Sequence, residues 1–163
     1  MLITEATKWN IERQIKELDE CKKKLEALQS IQSVLGDLPK EILELELQDS
    51  SIYYYAGSGA DLFLYAPDQP NTKEGKALTL QWIKQTMLLF KNLLDTVWDE
   101  KPLCANEKKR TMTYSGEFKY KDWNFSVLLS GCPIGRNCKL IPETHSYTTY
   151  NVKCSDNSGL VEV

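Results

Sequence analysis

From Thr7 to Leu35, apolar residues return at Ile11, Ile15, Leu18, Cys21, Leu25, Leu28, Ile31 and Leu35, in steps of 4, 3, 3, 4, 3, 3 and 4. The spacing is close to the 3.5-residue repeat of a coiled-coil seam, and Glu, Lys, Arg and Gln fill the faces between. It predicts one long helix. Thr4 can cap its start, with Glu5 in the first turn, where negative charge is favoured. "GDLP" stops it: Gly36 suits the left-handed residue that follows a helix, and Pro39 disfavours continuation. A stripe so narrow needs a partner helix. The partner is either the helix of the same chain near residues 74–99 or a second copy of the first helix, which makes the protein a homo-oligomer. Cys21 lies in the seam and reads as a small buried apolar side chain rather than a reactive thiol.

The period then drops to two. "EILELELQ" sets Leu43, Leu45 and Leu47 on one face and Glu44, Glu46 and Gln48 on the other, which predicts a half-buried strand. "SIYYYAGSGADLFLYAP" reads as a hairpin turning at Gly57 and Gly59. Its "GSG" is a structural turn, since the Gly-Lys-Ser/Thr and the helix of a phosphate loop do not follow. A broad helical stripe comes next, from about Lys73 to Asp99, with Thr72 or Asn71 as cap and Leu80, Ile83, Met87, Phe90, Leu94, Val97 and Trp98 on one face. "YSGEFKYKDWNFSVLL" reads as a second hairpin with "YKDW" as its tight connection. A last strand, "HSYTTYNVKC", puts His145, Tyr147 and Thr149 on one face, and a local irregularity is needed to bring Val152 inward.

Hairpin, helix, hairpin and strand predict an α+β fold. A long coiled-coil-like helix occupies residues 1–38, a largely antiparallel sheet covered by one long helix occupies 39–155, and 156–163 is a flexible tail.

Charge narrows the partners. A net charge of −3 argues against a general nucleic-acid binder, which needs a basic footprint. No run of about 18 apolar residues is present, so no membrane span is expected. "MLITEATKWN" lacks the basic start and apolar core of a signal peptide. The expected compartment is the cytoplasm, where thiols stay reduced.

The last quarter, "GCPIGRNCKLIPETHSYTTYNVKC", gathers three cysteines and the single histidine. Structural zinc wants closely spaced Cys pairs, whereas Cys132 and Cys138 have five residues between them and Cys154 lies sixteen further on. No metal site is expected. A Cys132–Cys138 disulfide fits the turn between them in an oxidising medium, but five cysteines is an odd number and the reading preferred is free thiols packed at a loop end. A catalytic Cys–His pair has only His145 as base and no visible oxyanion motif. The carboxylate clusters (Glu41, Glu44 and Glu46; Asp95, Asp99 and Glu100) have the spacing of solvated faces.

A more informative set mixes cations and aromatics: Lys108, Lys109, Arg110, Tyr114, Lys119, Lys121, Trp123, Arg136 and Lys139. Arginine suits two-pronged phosphate recognition, and Tyr or Trp offers a stacking face to a base. The candidate ligand site is therefore Arg110, Arg136 and Lys139 for phosphates, with Tyr114 or Trp123 for a base. The competing reading is a solvated sheet edge whose charges block strand addition.

"SGEFKYKDWNFSVLL" and "CKLIPETHSYTTYNVKC" together resemble small uncharacterised proteins of tailed bacteriophages, which carry a helix, a hairpin, a long helix, an "SG-x-F" to "W" hairpin and a closing "C-x-[LIV]" segment. The matching residues are Ser115, Gly116, Phe118, Trp123, Cys138, Leu140 and Cys154, within about residues 40–154. The resemblance implies a phage origin and an anti-defence role. The expected function is a non-catalytic oligomeric binding protein, without cofactor, that captures a host nucleotide second messenger in the host cytoplasm. The alternatives are an inhibitor that sets an acidic surface in a host protein's basic groove, and a minor structural component of the phage particle.

Overall fold

The computed structural model describes residues 3–54, 59–144 and 148–155. The chain divides into two compact units, Met1–Leu38 and Pro39–Val163. The first holds α1, Ile3–Gly36, the long helix that the seam predicts. Six of its eight seam positions, Ile11, Ile15, Leu18, Cys21, Leu25 and Leu28, are exposed. Around them run exposed pairs, Lys8–Glu12 at 3.9 Å and Arg13–Glu17 at 3.4 Å. Such pairs stabilise a helix by only about 0.3–0.5 kcal/mol each.

The second unit contains α2 (Lys40–Leu43), β1 (Asp49–Tyr54), β2 (Gly59–Tyr65), α3 (Lys73–Leu94), β3 (Val97–Trp98), β4 (Cys104–Asn106), β5 (Thr111–Tyr120), β6 (Trp123–Pro133), β7 (Cys138–Thr144) and β8 (Thr148–Cys154). One sheet runs β1-β2-β6-β5-β3, with β4 also paired to β5, and β7 and β8 form a second sheet. The pairing is antiparallel except between β2 and β6. Those two are parallel, and such a pair needs a long crossover connection, here one that includes α3. The architecture is the α+β fold expected.

α3 lays its stripe on this sheet. Ile83 and Phe90 are fully buried, as are Val127 and Leu129 of β6. Phe90 meets Phe118 at 5.9 Å between ring centres, and Phe118 stacks on Phe125 at 5.0 Å. Thr72 caps the helix, its hydroxyl accepting from the Gly75 N–H at 3.0 Å. Between β5 and β6 the connection is Lys121–Asp122, both with positive φ (46° and 66°). That is the primed two-residue turn whose twist matches a hairpin, and it bears out the reading of "YKDW".

Four expectations are corrected. "EILELELQ" is not a strand. The Pro39 carbonyl accepts from the N–H groups of Ile42 and Leu43, closing a helical turn that buries Ile42 and leaves Leu43 exposed. The second helix ends at Leu94, not near Asp99. Asp95 takes a left-handed conformation (φ 50°), and Thr96 donates through its hydroxyl to the Phe90 carbonyl at 3.0 Å. Val97 and Trp98 thus become β3. The Trp98 indole donates to the Met87 carbonyl at 2.9 Å, and the ring lies so close to Gly116 that a Cβ there would come within 2.8 Å of it.

β8 needs no irregularity. Its register with β7 is continuous, and Tyr150, Val152 and Cys154 share one face with Val152 buried. Of the other face, Thr149 is described, while His145 and Tyr147 lie outside the described residues, as do the hairpin turn at Gly57 and the tail. The cysteines differ as well. Cys138 and Cys154 stand directly opposite in the β7–β8 register and are joined as a disulfide. Cys132 is buried in β6, and its thiol is pushed up to about 12 by burial, with the Lys84 charge opposing. Cys21 and Cys104 are exposed.

Alkylation of the native protein at pH 8 should therefore reach Cys104, with Cys21 open to it only while the α1 seam is uncovered. Cys132 should react only after unfolding, and Cys138 and Cys154 only after reduction, as peptide mass mapping will read out. Rapid native labelling of Cys132, or labelling of Cys138 without reductant, contradicts this arrangement.

Candidate anion-binding cleft

Four segments of the second unit enclose a cleft of about 530 Å³. The end of β2 and the loop after it supply Tyr65, Asp68 and Asn71, and the first turns of α3 supply Lys76 and Thr79. The β4–β5 turn supplies Lys108, Lys109 and Arg110, and the adjoining parts of β5 and β6 supply Thr111, Thr113 and Ser130. The volume lies within the range of small-molecule sites, roughly 300–1,000 Å³.

The back wall is a β-bulge. Met112 pairs with Cys132 and Tyr114 with Leu129, so Thr113 faces two residues of β6, Ser130 and Gly131. Gly131 has φ 97°, a conformation that favours glycine. The distortion brings the Thr113 and Ser130 hydroxyls to 2.8 Å. It also leaves the Ser130 carbonyl to accept from the Ala66 N–H at 3.1 Å, which fixes the start of the 66–71 loop. At the other side of this loop, Gly75 packs so tightly under the Pro70 carbonyl that a Cβ would collide with it.

The basic turn is fixed by its backbone. Asn106 accepts from the Lys109 N–H through its side-chain oxygen at 3.1 Å, and the Arg110 carbonyl accepts from the Ile134 N–H at 3.2 Å. Arg110 itself is left-handed, with φ 50°. For a side chain with a Cβ that conformation costs on the order of 1–2 kcal/mol. Arg110 lines the cleft at the end of the turn that its N–H closes on the Glu107 carbonyl at 3.4 Å. Beside the turn, the Tyr150 hydroxyl bonds to the Glu107 carboxylate. That bond, with the carboxylate's charge, raises the Tyr150 pKa and ties β8 to the basic turn.

Electrostatically the cleft is cationic. Lys76, Lys108, Lys109 and Arg110 line it, and the one carboxylate in its lining, Asp68, accepts from the Gln48 side-chain amide at 2.9 Å. Tyr65 gives it a partly exposed aromatic wall. The lining contains neither histidine nor cysteine. Among the described residues, no three His, Cys, Asp or Glu side chains gather as metal ligands.

The five residues singled out from the sequence do not form one pocket. Arg110 lines the cleft. Tyr114 is 1% exposed and faces the core, so it offers no stacking face. Trp123 begins β6 at the opposite end of the hairpin, edge-on to Tyr54 at 6.3 Å. β5 has ten residues, which separates Trp123 from Arg110 by about 30 Å. Arg136 and Lys139 are exposed, on the β6–β7 loop and on β7, and do not line the cleft. Lys108 and Lys109, members of the wider set, do. Missed altogether were Lys76, Tyr65 and the hydroxyls, which reach the cleft from four separate elements, α3, β2, β5 and β6.

Arg110→Gly separates strain from binding. It removes a charge and relieves the left-handed backbone, so thermal stability should hold or rise by up to about 1 kcal/mol. Affinity for a phosphorylated ligand should fall by about 1.5–3 kcal/mol, the usual worth of a hydrogen bond to a charged group. Unchanged affinity removes Arg110 from the site.

Comparison with protein-family models, with curated proteins and with solved structures finds no match to this chain.

Proposed function

We propose that the protein binds a small phosphorylated ligand of the nucleotide class in this cleft and holds it without turning it over. One observation carries the reading: four cations from two elements line, together with hydroxyls and one tyrosine, a cleft of about 530 Å³. Lys108, Lys109 and Arg110 of the β4–β5 turn, with Lys76 of α3, provide phosphate contacts. Tyr65 provides a face for a base, and Thr111, Thr113 and Ser130 provide partners for a ribose. Tyr65 and Lys76 thus take the places first given to Tyr114, Trp123, Arg136 and Lys139. The lining lacks a thiol or imidazole, and Asp68 is engaged by Gln48, which supports capture over chemistry.

The exposed seam of α1 supports a homo-oligomer, since a helix with an apolar stripe in water is stabilised by covering it. The resemblance to small phage proteins supplies the biological setting: sequestration of a host nucleotide signal as a counter to defence. No helix among the described residues is long and apolar enough to cross a membrane.

A thermal-shift series against inorganic phosphate, mononucleotides and cyclic and linear dinucleotides tests the reading. A ligand at a hundred times its Kd stabilises the fold by about 2.7 kcal/mol, a rise in Tm of roughly 5–10 °C for a chain of this size. At least one nucleotide should give it, should lose affinity as salt rises, and should be recovered unaltered after overnight incubation. No shift with any nucleotide at millimolar concentration overturns the binding site. Hydrolysis in proportion to protein overturns the non-catalytic part.

A further inference from the structure

We infer that the Cys138–Cys154 bridge is a redox-sensitive latch on the basic turn of the cleft. Closed, it holds the turn in place; opened by a dithiol, it releases the turn. The consequence for a ligand rests on the binding just proposed, and the latch rests on the chain's own contacts.

β7 and β8 form a sheet of their own, two strands wide. Such a hairpin is marginally stable alone in water. Among its described residues only Cys138 and Val152 are buried, so apolar cover contributes little. The bridge joins the first residue of β7 to the last of β8 and closes the open end of the hairpin. Its two cysteines are sixteen residues apart in the chain, and fastening them restricts the open forms that the segment could otherwise adopt.

The bridge stands one tight turn from the cleft. Pro133 and Ile134 line the cleft where β6 ends. The Gly135 carbonyl then accepts from the Cys138 N–H at 3.1 Å, which leads the chain from the cleft wall straight into the bridge. The Ile134 N–H donates to the Arg110 carbonyl at 3.2 Å. β8 reaches the same basic turn: it lies beside β4, and its Tyr150 hydroxyl bonds to the Glu107 carboxylate. The turn that carries Lys108, Lys109 and Arg110 is thus attached at Glu107 to β8 and at Arg110 to the loop before β7. The bridge fastens those two attachments to each other.

Opening takes two electrons and two protons, and a dithiol supplies both. Cys154 is half-buried and Cys138 buried, so Cys154 Sγ is the sulfur open to attack. A thiolate of the dithiol bonds to it, and the S–S bond breaks to leave the Cys138 thiolate, which takes a proton. The second thiol of the reagent then displaces Cys154 as a thiol, and the dithiol leaves as a disulfide. Without the bridge the hairpin opens locally, and the turn loses both anchors together.

Hydrogen exchange of the full chain, read by nuclear magnetic resonance with and without dithiothreitol, tests the latch. The amides of Lys109, Arg110 and Ile134 are each hydrogen-bonded in the closed state, and they should exchange at least tenfold faster after reduction. Amides of the β5–β6 ladder around Phe118 and Phe125 should keep their rates. Cys138→Ser with Cys154→Ser should show the fast exchange with and without dithiothreitol. Unchanged exchange at Lys109, Arg110 and Ile134 on reduction, or slow exchange in the double variant, overturns the latch. Equal acceleration throughout the ladder overturns it as well, because that is loss of the fold. Pyrophosphate then reports on the cleft, and the oxidised protein should bind it at least tenfold more tightly than the reduced one. Equal binding overturns control of the cleft by the bridge. No binding in either state, with exchange still dependent on the bridge, overturns the binding reading and leaves the latch standing.

Discussion

The pairing of β5 with β6 is the constraint on which the second unit depends. Along that ladder Tyr114, Phe118, Phe125, Val127 and Leu129 all turn to the core, where α3 covers them. One residue of mispairing would turn each to solvent. The register is pinned at both ends, by the Lys121–Asp122 turn and by the bulge at Gly131. The bulge does more than end the pairing. It gathers two hydroxyls and receives the loop after β2, so the cleft is a consequence of where the ladder breaks.

Local pattern made much of the fold legible. The α1 helix, the Thr72 cap, the antiparallel pairing of β1 with β2 and the "YKDW" turn rest on neighbours in sequence, and each is found. Failures arose where a local pattern met a stronger constraint. The alternation of "EILELELQ" gave way to a helical turn closed on Pro39. The apolar stripe continuing through Val97 and Trp98 was redirected by the left-handed Asp95 and the buried Thr96.

The candidate cleft was legible only in part, for the same reason. Lys108, Lys109 and Arg110 form a contiguous run and could be named. Lys76 and Tyr65 join them only through the parallel pairing of β2 with β6, which brings the start of α3 and the β4–β5 turn to the same end of the sheet. Tyr114 and Trp123 do not line the cleft: strand alternation buries one, and the length of β5 removes the other. The Cys138–Cys154 bridge likewise follows from cross-strand register, which chain spacing does not encode.

The central claim is that a phosphorylated ligand binds at the bulge end of the β5–β6 ladder. Backbone amide mapping by nuclear magnetic resonance during titration with a nucleotide reads that location directly. The amides of Lys76, Lys109, Arg110, Thr113 and Gly131 should shift together and saturably, while those of Trp123, Arg136 and Lys139 stay in place. Saturable shifts confined to Trp123, Arg136 and Lys139, or none at the bulge end, would contradict the account.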